Sequence, residues 1–324
     1  MLAIRQRRFG PPEVLEPEDV PDPAPGTGRA RIAVEAAGVH VIDTAIRAGA
    51  DRLPFPLPDL PMTPGREVAG VVDAVGPGVD PAWEGRRAVA HLGLASGGYA
   101  QLAVAPAEAL HEVPDGLGAD VAVAAIGTGR TAVAILDQAA IAPDDVVLVT
   151  AAAGGLGGLF IQGVRAAGAV AVGAAGGAEK VAAVRALGAD VAVDYREPDW
   201  PERVVEALDG RRVSVALDGV GGALGRAALE LLAPGGRILL FGFSSGEPTP
   251  LTTRDLMRLG ITASWALGGG IAGRMRELET RALADAAAGR LVPVVGQRFP
   301  LADAAGAHRA IEARETIGKV VLVP

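Results

Sequence analysis

Cysteine is absent from the 324 residues, and the chain has only 4 His, 2 Tyr, 3 Trp and 6 Phe. Without cysteine there is no disulfide framework, thiol nucleophile, redox CxxC pair, iron–sulfur cluster or cysteine-bound zinc. Four histidines with no ligand spacing give little for a structural metal site, and none is expected. Positive charge is also short: 30 Lys and Arg stand against 38 Asp and Glu, a net charge of −8. That balance argues against a nucleic-acid surface, which calls for a basic stripe. The longest uncharged window, Val146 to Val164, contains five glycines and Gln162 and opens on a β-like VVLVT. It reads as a strand and a helix meeting at a turn, not as a membrane span. Met1 to Pro12 carries Arg5, Arg7 and Arg8 and has no long apolar run, so no export signal and a cytoplasmic location are expected.

What is present is small and apolar. Half the residues are hydrophobic, with 45 Gly and 24 Pro, a composition of packed globules and not of low-complexity chains. The length favours two domains. In the first third, RIAVEAA (31–37) and GVVDAV (70–75) read as strands amid Pro- and Gly-rich punctuation, which predicts a barrel-like antiparallel domain. After about residue 121 strands alternate with helices. VVLVT leads into a helix and then AVAVG (169–173); a helix over 179–187 precedes VAVDY (191–195). VSVALD (213–218) is followed by a helix near 224–232 and RILLFG (237–242). This is the pattern of repeated βαβ units in a doubly wound parallel sheet. The tail, with VPVVGQRFP and GKVVLVP, is β-rich like the beginning, and is expected to complete the first domain. The expected division is 1–122 with 267–324, and 123–266.

The run TAAAGGLGG (150–158) carries the chemistry. Gly154, Gly155 and Gly157 follow a strand and open a helix whose apolar face is Leu156, Leu159, Phe160, Gly163, Val164 and Ala167. A helix N-terminus offers free N–H groups and the positive dipole end to a diphosphate, and side chains there would block its approach. A dinucleotide site is predicted. About twenty residues on, where an acid normally holds the ribose of NAD, the sequence has Gly176 and Gly177, with Lys180 and Tyr195 beyond. No acid repels a 2′-phosphate and Lys180 offers a point charge, so NADPH is expected over NADH. The alternative for Lys180 is a solvated helix lysine beside Glu179.

Several stretches, taken in order, resemble the zinc-free quinone oxidoreductase branch of the medium-chain dehydrogenase/reductase family. They are FGPPEVLEPEDVPDPAPG, AAGVHVIDTAIRAG, PGREVAGVVDAVGPGV, GGYAQLAV, AAAGGLGG, LGADVAVDY, LDGVGG, GGRILLFG and FPLADAAGAHRAIEARETIGKVVLVP. The resemblance implies a GroES-like β-rich domain plus a Rossmann domain, with the active site in a cleft between them, and a homodimer formed through the strand at Ile261 to Trp265. Zinc-dependent relatives have Cys near His40 and His at Arg66, so the resemblance implies metal-free hydride transfer from NADPH to a quinone or conjugated enone.

Residue by residue, the resemblance places Gly155 and Leu156 at the pyrophosphate and Gly176, Gly177, Lys180 and Tyr195 at the 2′-phosphate. Gly219, Phe241, Gly242, Ser244 and Ser245 fall in loops at strand ends, Ser264 and Trp265 near the nicotinamide, and Thr131 at the domain junction. Lys319 either approaches the cofactor or is a solvated lysine. His40 stands where the family commonly has Asn; it is either a proton donor to the substrate or a packing residue. Asp43 either orients His40 or caps the helix that follows it. Tyr99 is retained in the substrate pocket. Arg66 either meets the acceptor or pairs with Glu67 or Asp73. Ala50 and Asp51 replace a pocket Tyr. His91, His111 and His308 read as structural or surface residues. Two other functions stay open. One is an enoyl-thioester reductase, for which Arg47, Arg52 and Arg66 leave a basic entrance possible. The other is a non-catalytic NADPH-binding sensor.

Overall fold

The computed structural model describes residues 1–51, 55–269 and 271–324. Fifteen strands run in chain order among the described residues: β1 (Leu2–Gln6), β2 (Leu15–Asp19), β3 (Arg29–Val39), β4 (Glu67–Val75), β5 (Arg87–His91), β6 (Leu102–Pro106), β7 (Leu110–Glu112), β8 (Val146–Val149), β9 (Val170–Ala175), β10 (Val191–Asp194), β11 (Val213–Asp218), β12 (Leu232–Leu240), β13 (Thr262–Trp265), β14 (Val295–Pro300) and β15 (Lys319–Val323). The chain divides into two compact units, Met1–Gly129 with Glu279–Pro324, and Arg130–Leu278. The first division falls inside a helical run, 119–139, and the second inside the helix Met275–Ala287, 7 and 12 residues beyond the expected bounds.

The first unit is the GroES-like one. Its sheet has the order β14-β15-β3-β4-β5-β7, with β6 also pairing β3. Along β3 the apolar Ala30, Ile32 and Val34 alternate with Arg29, Arg31 and Glu35, which buries one face. At Ala36–Val39 both faces are buried and the residues are small. The C-terminal β15 lies antiparallel to β3, with Val321 opposite Gly38 and Val320 opposite Val39, so the tail does complete this unit. The helix Val41–Ala48 starts one residue after β3, before Asp43 and not after it as expected.

The second unit is a six-stranded sheet, β10-β9-β8-β11-β12-β13, parallel throughout. Strand order reverses at β8/β11, the place where open α/β sheets bind ligands. The window 146–164 is β8 followed by the helix Gly155–Ala166. One helical run among the described residues, Ala119–Ala139, is long and apolar enough to cross a membrane by length and composition, but 72% of its most apolar window is buried within the protein, as in a core helix.

Candidate active site

In the second unit, β8 ends at Val149 and the chain turns through Ala151, whose φ is +48°, before Gly154 opens the helix Gly155–Ala166 in an extended conformation. Gly157 is the steric requirement of this turn. A Cβ there would stand 2.5 Å from the Ala151 carbonyl oxygen and 2.6 Å from Ala152 Cα, both backbone atoms. The first turn of the helix therefore sits directly on the loop, and its N-terminal N–H groups suit a diphosphate. Leu156 is half-buried beside it.

At the ends of β9 and β10 the chain forms a second small-residue cradle. The ring of Tyr195 lies against Gly176, within 3.0–3.2 Å of where a Cβ would be, and the guanidinium of Arg196 lies over Gly177, whose φ is +99°. Asp194 accepts from the backbone N–H groups of Gly177 at 2.9 Å and Arg196 at 3.0 Å, and its carboxylate is 3.4 Å from Arg196 Nε. Partial burial pushes the Asp194 carboxyl up, but the two N–H groups and then the Arg196 guanidinium outweigh this and hold it below the usual carboxylate range. Lys180 is on the helix Ala178–Ala186, half-buried. Arg196 has no place in the sequence reading; its signal was its position directly after Tyr195 at a strand end.

Asp218, wholly buried at the end of β11, is a second residue missed. It accepts from Thr150 Oγ1 at 2.7 Å and Thr249 Oγ1 at 2.6 Å, and from the N–H groups of Val220 and Gly221. These bonds fix the loop that carries Gly219, against which the Phe241 ring packs. Phe241 also meets Phe160 edge-on at 5.2 Å. Ser244 N donates to Gly219 O and Ser245 N to Val220 O, while Gly242 stands close to Gly219. Ser264 and Trp265 are exposed at the carboxyl end of β13, Trp265 beside Leu240 in the outer strand of the sheet. Thr131 lies in the first turn of the helix Arg130–Ala139, half-buried.

In the first unit three adjacent strands deliver three titratable side chains to one point. His40 follows the last residue of β3, Glu67 is the first of β4, and Lys319 is the first of β15. Glu67 is wholly buried; its Oε2 is 2.9 Å from His40 Nε2 and its Oε1 is 2.6 Å from Lys319 Nζ. All four atoms are buried and none makes an aligned hydrogen bond. His91, opposite Glu67 on β5, adds a further basic neighbour. Burial pushes the Glu67 carboxyl up, but His40 and Lys319 overcome that and keep it ionised far below the usual carboxylate range. Two glycines make room. A Cβ on Gly38 would overlap Glu67 Oε1, and one on Gly127 would overlap Oε2 and stand 3.2 Å from His40 Cε1. Gly127 belongs to a fully buried π-helical turn, Ala125–Gly129, an irregularity that often marks functional sites.

Lys319 is therefore neither a solvated lysine nor a side chain reaching out of the protein: it is 4% exposed and paired with Glu67. His40, with its side chain 21% exposed, is the partly accessible member of the group. Asp43 does not precede its helix; it lies at the third position of Val41–Ala48, and its carboxylate accepts from the His40 backbone N–H at 2.9 Å. Tyr99 is wholly buried, its hydroxyl 3.3 Å from Asp43 Oδ2 and 3.2 Å from His308 Nε2, so it supports Asp43 from behind and presents no surface to a pocket. Arg66 pairs with neither Glu67 nor Asp73. Its Nε donates to Gly93 O at 3.2 Å, its guanidinium is 5.7 Å from the Phe55 ring centroid, and Asp73 is held by Arg31. His111 and His308 are buried, His111 against Glu279. Arg47 is 2% exposed and paired with Glu312, so it forms no basic entrance; Arg52 lies outside the described residues.

The residues do not fit a zinc ion. No group of three or more His, Cys, Asp or Glu is placed for a metal among the described residues. The carboxylate nearest His40 has a lysine ammonium on its other oxygen, where a further ligand would have to be.

A family described as alcohol dehydrogenase GroES-like domain matches residues 26–115, and one described as zinc-binding dehydrogenase matches residues 187–322. A quinone oxidoreductase of Pseudomonas aeruginosa is 34% identical over 99% of each chain, and a 2-haloacrylate reductase of a Burkholderia species is 35% identical over 100% of this chain and 99% of its own. The structure of the Escherichia coli quinone oxidoreductase complexed with NADPH superposes with a TM-score of 0.87 at 30% identity, covering all of both chains. The chain belongs to the medium-chain dehydrogenase/reductase family and is of its quinone oxidoreductase type, an NADPH:quinone oxidoreductase-like enzyme.

Proposed function

We propose that this enzyme is an NADPH-dependent reductase, independent of zinc and flavin, whose acceptor is a quinone or an α,β-unsaturated carbonyl. NADPH, when bound, supplies a hydride and leaves as NADP⁺; the acceptor gains that hydride and one proton. The pyrophosphate falls to Gly154, Gly155, Leu156 and Gly157, and the 2′-phosphate to Gly176, Gly177, Lys180 and Tyr195, with Arg196 added. The loops of Gly219 and of Phe241 to Ser245, fixed by Asp218, serve the nicotinamide end. Phe160 packed on Phe241 keeps that loop dry from beneath. Ser264, Trp265 and Thr131 are assigned to the same binding role with less to distinguish them.

The observation that carries the reading is the partly exposed imidazole of His40 standing against a buried, ionised carboxylate. Such a group can hand a proton to a developing oxyanion or carbanion and take it back from water. The relative that reduces 2-haloacrylate supports extending the acceptor class from quinones to conjugated carbonyl compounds. Arg66, with no carboxylate at ion-pair distance among the described residues, is a candidate contact for an acceptor oxygen.

The test is NADPH oxidation by the purified enzyme against a small quinone, a simple enone and a 2-enoyl thioester, together with His40→Ala. The expected result is turnover of the quinone or enone above the thioester, with His40→Ala slowing enone reduction about a hundredfold. Preference for the thioester overturns the acceptor class; tight NADPH binding with no turnover across the panel overturns the enzyme and points to a sensor. A homodimer through the outer edge of β13, where Trp265 is 50% exposed, is part of the same proposal, and sedimentation of Trp265→Glu against the parent checks it.

A further inference from the structure

The buried ion pair of Glu67 and Lys319 is costly to form. Withdrawing both charges from water is repaid only where geometry is good, and apolar substitutes of similar volume are often as stable. Here the expense is increased by steric provision: Gly38 and Gly127 leave room for the carboxylate oxygens, one near the end of strand β3 and one in a π-helical turn. The product of this arrangement is directional. Lys319 takes Oε1, so Oε2 is the oxygen left for His40, and it faces Nε2. Nε2 is buried while the side chain as a whole is not. The backbone of His40 is fixed independently by Asp43, itself held by Tyr99.

We infer that Glu67 is a positioning residue for His40, with Lys319 as its anchor: together they hold the imidazole with Nε2 turned into the protein and the opposite edge presented to the acceptor. The inference rests on the proton-donor reading of His40 and goes beyond it. A carboxylate behind a histidine holds Nε2–H and the ring orientation without itself being protonated; the proton passed to the acceptor is the Nδ1 proton of the imidazolium, Nε2 keeps its own, and Nδ1 is reprotonated from water. The effect belongs to the proton step, so it weighs most where a carbon must be protonated, as in an enone, and least where a hydroquinone oxygen can leave as the anion.

The experiment compares Glu67→Gln, Glu67→Asp, Gly127→Ala and His40→Ala with the parent enzyme. Steady-state kinetics with an enone and with a quinone are combined with ¹⁵N NMR of the imidazole nitrogens, tractable in a chain with four histidines. Glu67→Gln is expected to lower kcat for the enone by about tenfold to a hundredfold, to lower it less for the quinone, and to leave KM for NADPH within about twofold. The His40 ¹⁵N pattern is expected to change from a protonated Nε2 to a mixture. Glu67→Asp is expected to recover part of the loss. Gly127→Ala, which presses on the same contact with the charges intact, is expected to reproduce the enone loss, and it decides the matter if Glu67→Gln does not fold. Wild-type enone kcat and an unchanged His40 pattern in Glu67→Gln and Gly127→Ala, alongside a large loss in His40→Ala, overturn the positioning role alone. Full activity in His40→Ala overturns the proton-donor reading and the positioning role with it.

Discussion

The guanidinium of Arg196 lies directly over Gly177, in the space that any side chain at that position would need. Gly177 thereby leaves one face of the β9 end open to a cation, and Asp194, 3.4 Å away, neutralises that cation only partly because Arg196 is 64% exposed. An exposed, weakly paired guanidinium can turn to a phosphate as a bidentate donor, which Lys180 cannot do. Arg196→Ala is expected to lower kcat/KM for NADPH about tenfold while leaving NADH unchanged. The two kcat/KM values, measured on the parent and the variant, check this; an equal loss with both cofactors counts against a 2′-phosphate role.

Gly157 tests the diphosphate turn. A Cβ would press on two backbone atoms of the loop, neither of which can rotate away. Gly157→Ala is expected to destabilise the protein by about 1–3 kcal/mol through overpacking and to weaken NADPH binding at least about tenfold. Denaturant melts and NADPH titration by fluorescence measure the two. Gly210→Ala, where a Cβ meets nothing but φ is +85°, is the control that carries backbone strain without the clash.

Lys319→Met should be among the most destabilising single changes in the first unit. It removes a cation 2.6 Å from a carboxylate with no access to water, and a buried charge left short of its partner costs about 3–5 kcal/mol. The double variant Lys319→Met with Glu67→Gln is expected to recover much of the loss, since the orphaned charge is then gone. Urea unfolding of the parent, the two single variants and the double variant gives the coupling directly.

His308 sets part of the acid limit. It is wholly buried against Tyr99, and burial first and the Arg47 charge second push its pKa down from 6.5 to about 3. The unfolded chain therefore binds a proton on this group between about pH 6.5 and 3 that the folded protein refuses. The stability it contributes is full above pH 6.5 and declines as pH falls through that window, by at most about 1.4 kcal/mol per pH unit. Glu67 adds to the decline at lower pH: its contribution is full above about pH 4.5, where the unfolded carboxyl is ionised too, and is lost progressively below that into strongly acid conditions. His308→Asn is expected to flatten the stability profile between pH 6 and 4 by up to one proton, read from urea midpoints at each pH.

The sequence by itself determined the architecture. Apolar runs of four to six residues alternating with helices could become only a parallel sheet, and a tail patterned like the head returned to pair with β3. It also located the glycine-rich turn proposed for the diphosphate, because glycine at 154, 155 and 157 between a strand and an amphipathic helix is a local signal, with strand, turn and helix all inside some twenty residues. The helix Val41–Ala48 was read as starting after Asp43, but it begins two residues before it, since only His40 separates it from β3. What only the tertiary structure decided is the company each charge keeps. Glu67 is one of two acids, with Asp73, in a strand of otherwise small apolar residues, and Lys319 is 252 positions away in sequence. Nothing local ties them to each other or to His40. They meet because β15, β3 and β4 are neighbours in one sheet and because two distant glycines leave the volume of a carboxylate between them. Backbone pattern is written in short-range periodicity, whereas the pairing of buried charges depends on strand order and register, which bring distant residues within 3 Å.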